Sequence, residues 1–202
     1  GIPFDLATSN RPGTRFGPAG VRAASGQLAF GDVWPWGFDP FDRLAVIDYG
    51  DVAFDYGYTD RMLERVEAHA ATIIDAGVTM LTIGGDHFVS LPLLRAHAKK
   101  HGPLSLVHFD AHSDTWRDEN YNHGTMFFHA VDEGLIDPKR SIHVGLRTYN
   151  PEDHGFTILE APWVHEHGVA ATILTTSVVA VSCYAEQRSV AARQSGNTPI
   201  RS

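Results

Sequence analysis

Asp110, His112 and Asp114 place two carboxylates and an imidazole at alternate positions, directly after an apolar run containing Leu104, Leu106, Val107 and Phe109. In extended backbone, residues i, i+2 and i+4 project to the same side. If the chain stays extended past Phe109, the three side chains converge on one point rich in oxygen and nitrogen donors. Carboxylates with imidazole suit manganese or zinc, and the lack of thiolates argues against a closed structural zinc site. A polar loop of chance composition would carry the same residue types, so the motif alone is a metal-site hypothesis. A further imidazole, His87, closes Gly84-Gly85-Asp86-His87 after a second apolar run at 78–83.

These residues need strands to end beneath them and helices to bring the chain back. Residues 104–109 read as a central buried strand and 78–83 as a β-branched one, with a shorter candidate at 44–47. Between 58 and 77, Met62, Leu63, Val66, Ala70, Ile73 and Ile74 fall at helical spacing, with Asp60 as cap and Gly77 as stop. Residues 88–101 read as a helix with Pro92 in its first turn, where the missing N–H is tolerated. Alternating strands and helices predict right-handed parallel crossovers and an α/β fold. In such sheets ligands gather beyond the carboxyl ends of strands, so His87 and the Asp110 cluster are expected to be neighbours.

The flanking segments are less patterned. Gly17-Pro18 opens a short helix that runs to Gly26, whereas 27–43, rich in Gly, Pro, Phe and Trp, receives no assignment. A helix is expected within 124–133, a strand at 142–146 and a polar loop at 147–155. His165 and His167 read as solvated surface histidines. From Leu174 the composition shifts to Ser, Thr, Ala, Gln and Arg with one acidic residue, Glu186. Residues 174–202 are therefore expected to be a divergent tail, mostly mobile and disordered beyond Ala185.

Composition narrows the function classes. The 202 residues suit one sizeable domain, and a formal charge of −8 without a basic run disfavours general nucleic-acid binding. No apolar run reaches membrane-spanning length and no leader pattern opens the chain, so a cytoplasmic location is the default expectation. The single Cys183 agrees with a reducing compartment.

The ordered motifs together resemble the ureohydrolase family, closest to its agmatine-hydrolysing branch. They are Gly1-Ile2-Pro3-Phe4-Asp5, Arg11-Pro12-Gly13-Thr14-Arg15-Phe16-Gly17-Pro18 with Arg22, and Asp48-Tyr49-Gly50-Asp51-Val52. They continue with Gly84-Gly85-Asp86-His87, Asp110-Ala111-His112-Ser113-Asp114, His123-Gly124-Thr125-Met126-Phe127, Glu133-Gly134-Leu135-Ile136-Asp137-Pro138 and Gly145-Leu146-Arg147-Thr148. The resemblance implies a three-layer α/β/α fold with a mostly parallel sheet and a pair of manganese ions. By analogy one ion takes His87, Asp110 and Asp114, the other takes Asp110 and His112, and Asp110 bridges them. His123 matches the histidine proposed to carry a proton to the leaving amine, a role suited to imidazole; the alternative is a loop histidine capping the helix at Gly124. The implied reaction is hydrolysis of agmatine to putrescine and urea, in polyamine biosynthesis, by a homo-oligomer. Guanidinobutyrate or arginine would be served by the same motifs, and a non-catalytic product is the third reading. Asp5, Arg15 and Asp51 match family motifs but read as structural. Trp116 and Asn150 border the site, as substrate contacts or as loop packing.

One departure bears on activity. The family completes its binuclear site with an Asp-x-Asp-x-x-Asp-Pro segment on a later strand, and this sequence has no Asp after Asp153. Residues 1–173 are thus expected to form a partial ureohydrolase domain whose second metal site is incomplete, and the chain to be impaired or inactive.

Overall fold

The computed structural model describes residues 1–27, 32, 34–58 and 61–194, with side chains described through residue 179. Two compact units form, Gly1–Ala96 and His97–Ser202, where length alone suggests one domain.

In the first unit, helix α1 (Gly17–Ser25) carries Pro18 in its first turn, as the Gly17-Pro18 pair predicts. Helix α2 (Met62–Asp75) buries Met62, Val66, Ala70 and Ile74, a four-residue repeat that keeps one stripe inward. Its predicted cap, Asp60, lies outside the described residues. Gly77 takes φ 73°, the left-handed conformation that ends a helix. Helix α3 (Ser90–His101) follows a 3-10 turn, His87–Val89, and the division between units falls within it. Ala70, Ile74 and Ala96 form a small core with Met80 and Leu93 packed against them.

The strands expected at 44–47 and 78–83 do not form among the described residues. A strand exists through its partner's hydrogen-bond ladder. Around 78–83 that ladder is reduced to one bond, from Ile2 N–H to the Ile83 carbonyl (2.9 Å), and an isolated parallel bridge between Ile2 and Gly84. Strand-forming residue types therefore remain at the surface, with Leu81 91% exposed.

The second unit holds the sheet. Strands β1 (Val107–Phe109), β2 (Ile142–Leu146) and β3 (Thr157–Glu160) run parallel in the order β1-β2-β3. The register pairs His108 with His143 and Phe109 with Val144. Helix α4 (Met126–Asp132) lies within the predicted span and makes the crossover from β1 to β2. Strand β1 is shorter than the expected 104–109, because Leu104 instead bridges to Ile136. Helix α5 (Ala161–Gln194) begins directly after β3 and is interrupted at Gly168, φ 77°. Ile142, Val144 and Leu159 form the core beneath it, covered by Trp163, Val164 and Val179. The helix passes Ile173 and Leu174 without a break; residues 195–202, the last part of the expected tail, lie outside the described residues. His165 and His167 are exposed, as expected. The α/β class and parallel sheet agree with the alternation of elements in the sequence.

Candidate metal centre

Strand β1 ends at Phe109, and the chain turns at once. The Asp110 carboxylate accepts a hydrogen bond from the His112 backbone N–H (2.8 Å), a local Asx turn. Asp114 then adopts φ 52°. The assumption of extended backbone therefore fails beyond Phe109. His112 turns outward, its side chain 60% exposed and its Nδ1 3.1 Å from Asp110 Oδ1. The period of two does operate, but upstream: His108 lies two residues before Asp110 and is buried. His108, Asp110 and Asp114 each offer one ligand atom, and these atoms lie within 4.8 Å of one another. His112 borders this group without joining it. Two carboxylates and an imidazole, with no thiolate, are a donor set that fits a divalent ion such as manganese or zinc. The signal for His108 was present in the sequence as a histidine inside an otherwise apolar strand.

Several elements hold the ligand loop. Asp110 N–H donates to the Val144 carbonyl (3.2 Å), and the N–H groups of Arg147 and Thr148 both donate to the Ala111 carbonyl. This pairing past the strand end requires Gly145, at φ 94°, where the β2–β3 register breaks. From the other side Phe127 N–H, in the first turn of α4, donates to the Asp114 carbonyl (3.0 Å). Asn150 donates its side-chain amide to Ser113 Oγ and Thr115 Oγ1, each at 3.1 Å. These bonds give Asn150 a loop-fastening role. A cavity of about 340 Å³ opens beside the loop, lined by Ser113, Thr115, His143, Arg147, Asn150 and Glu152 among others.

His123 sits half-buried in the turn before α4. Asn122 Oδ1 accepts from Gly124 N–H (2.8 Å), and the Gly124 carbonyl accepts from Trp116 N–H (3.0 Å). The residue preceding the helix is Thr125, whose own side chain makes no cap hydrogen bond. His123 is also outside the group of converging ligand atoms. Trp116 is 47% exposed.

His87 belongs to the first unit, where it opens the 3-10 turn. Asp86 fixes that turn: one carboxylate oxygen accepts from Phe88 N–H (2.7 Å) and the other from Ala7 N–H (3.0 Å). Gly85 allows the amino-terminal segment to pass, since a Cβ there would lie 2.3 Å from the Phe4 carbonyl and 2.5 Å from that of Ile2. Asp5 is buried, pairs with Arg15 and accepts the Gly13 N–H at 2.6 Å; the Arg15 hydrogen bond holds its carboxyl below the usual range. Arg22 binds Asp48 at 2.6 Å and Asp51 at 2.7 Å, lowering Asp48 to about 2. Asp5, Arg15 and Asp51 are thus each held in an ion pair.

Behind the ligand loop two buried imidazoles meet. His108 Nδ1 and His143 Nδ1 are 2.7 Å apart. Burial pushes His143 down to about 4, so it is neutral at pH 7.

Comparison with known proteins follows the same geometry. The family model described as the arginase family matches residues 1–182. The chain is 56% identical over 177 residues to an agmatinase of Chromobacterium violaceum, covering 86% of this chain and 55% of that protein. Its structure resembles that of a hypothetical agmatinase from Burkholderia thailandensis, with TM-score 0.86, 54% identity, and 89% of this chain and 57% of the other covered. The proclavaminate amidino hydrolase of Streptomyces clavuligerus is similar at TM-score 0.76 and 34% identity, covering 89% of this chain and 63% of that one. The chain thus spans about half the length of the curated relatives it matches. With the family match running through most of its residues, and the β1 exit carrying Asp110 and Asp114 in a matching fold, the chain belongs to the arginase family.

Proposed function

We propose that the chain derives from a manganese-dependent hydrolase that converts agmatine to putrescine and urea. The observation that supports this most is the convergence of the Asp110 and Asp114 carboxylates at a parallel strand's exit, in a chain 56% identical to an agmatinase. In this reading His87, Asp110 and Asp114 hold one ion, and Asp110 and His112 contribute to a second. Divalent ions at such a site lower the pKa of water, so that hydroxide is available at neutral pH. The remaining work falls to the chain's own groups. The aspartates fix the ions, and the water oxygen bonds to the guanidinium carbon. The bond from that carbon to the aminobutyl nitrogen breaks, and His123 passes the water's proton to that nitrogen so that it leaves as an amine.

In this reading residues 1–173 are the family domain and 174–202 a divergent segment, with the family match itself running on to residue 182. Because no Asp follows Asp153, the 202-residue chain is expected to hold fewer than two manganese ions and to turn over little or no agmatine. A cytoplasmic location and a homo-oligomeric state belong to the same proposal. Among the described residues no helix is long and apolar enough to cross a membrane.

The test is urea release from agmatine, arginine and 4-guanidinobutyrate. It uses the 202-residue chain and a chimera in which residues 1–173 are joined to the carboxyl-terminal part of the C. violaceum agmatinase. Agmatine turnover confined to the chimera, and lowered about 10²–10⁴-fold by His123→Asn with metal content unchanged, is the expected result. Preference for either other substrate would replace agmatine. Metal loss in the His123 variant would make that residue a ligand.

A further inference from the structure

We propose that His143 is a positioning residue. By donating its Nδ1–H to His108, it fixes the His108 tautomer whose Nε2–H faces the Asp110 carboxylate, so that His108 steadies this ligand and does not itself bind the ion. The inference rests on the reading of Asp110 as a ligand and names what orients it.

Two imidazole nitrogens 2.7 Å apart cannot both donate or both accept. One ring is the Nδ1–H tautomer and the other presents a bare Nδ1. Both ends of the pair select the same direction. On the His108 side, Nε2 lies 3.8 Å from Asp110 Oδ2. A proton on Nε2 meets the carboxylate's negative charge favourably, whereas a lone pair there would be repelled. That leaves His108 Nδ1 as the acceptor. On the other side, His143 Nε2 is buried with no hydrogen-bond partner among the described residues. The Phe156 ring lies 4.3 Å and the Phe127 ring 6.2 Å from the His143 ring, centroid to centroid. Were the His143 proton on Nε2, a buried N–H would lie beside these rings with no hydrogen-bond partner among the described residues. Orphaned buried N–H groups are rarer than under-satisfied acceptors. His108 Nε2, equally buried, has the Asp110 charge 3.8 Å away, beyond hydrogen-bond distance but close enough to favour a proton there, so the shared proton belongs on His143 Nδ1.

The backbone enforces the arrangement. His108 and His143 are register partners on β1 and β2, and Phe127 of α4 packs edge-on against His108 at 4.8 Å. His143 therefore acts on Asp110 through His108, as an outer partner that orients a metal ligand.

Ring ¹⁵N NMR on the 202-residue chain in EDTA tests the direction without any metal. The expected spectrum shows His143 protonated on Nδ1 and His108 on Nε2; the reverse assignment overturns the proposal. The second readout is manganese affinity by EPR titration. His143→Phe is expected to weaken binding about 10–100-fold, and His143→Gln, whose amide can still donate to His108, to recover most of it. Wild-type affinity in the Phe variant, or no recovery in a Gln variant that keeps the wild-type near-UV circular dichroism, overturns it. If the wild-type chain binds no manganese, the functional reading fails, while the tautomers still decide this one.

Discussion

Asp114 combines a proposed ligand carboxylate with left-handed backbone, and the two properties can be separated. Asn tolerates φ near 52° about as well as Asp. Asp114→Asn should therefore melt within a degree or two of wild type yet bind manganese at least about tenfold more weakly, measured by calorimetry. Asp114→Ala should lose the same affinity and also stability, by about 1 kcal/mol, because an ordinary side chain is strained there. His143 gives a second residue-level prediction. Its folded pKa of about 4 lies below the unfolded value near 6.5. The unfolded chain then binds the proton first as pH falls, so the stability His143 contributes is full above pH 6.5 and lost progressively down to about pH 4. The loss is on the order of 3 kcal/mol. Denaturant titrations across this range should show the slope in wild type and a weaker one in His143→Phe; equal slopes would contradict it. At this scale the sequence was partly legible. Asp110 and Asp114, which the structure brings together, could be read from type and spacing, but the extended backbone assumed beyond Phe109 gives way to a turn, so His112 faces outward while His108 lies beside the two carboxylates.

Helices α2 and α3 and strand β2 were legible because each writes its own period or apolar run into consecutive residues. The candidate strands at 44–47 and 78–83 were not, because residue type reports what can pair and says nothing of whether a partner lies alongside. Strand β3 was missed for the opposite reason: its four residues are too few to show a pattern, yet β2 supplies the ladder. The turn bearing His87 shows how an element positions a site. Gly85→Ala must push a Cβ into two backbone carbonyls of the amino-terminal segment. Overpacking of this kind costs about 1–3 kcal/mol, and neither carbonyl can rotate away as a side chain would. The variant should be destabilised by that amount in urea unfolding. It should also exchange the Asp86 amide, which donates to Phe4 (2.7 Å), faster than wild type. Unchanged exchange would show that the close approach does not matter.

For the whole molecule, family motifs from Ile2 to Thr148 made the lineage readable, and the fold match bears it out over 89% of the chain. The division into two units was not readable, since no composition change or linker marks Ala96. The central proposal is that the Asp110–Asp114 loop holds metal for hydrolysis. Manganese stoichiometry by equilibrium dialysis tests it most directly. The account predicts fewer than two ions per 202-residue chain, with binding abolished by Asp110→Asn. Two tightly held ions, or binding indifferent to Asp110→Asn, would contradict it.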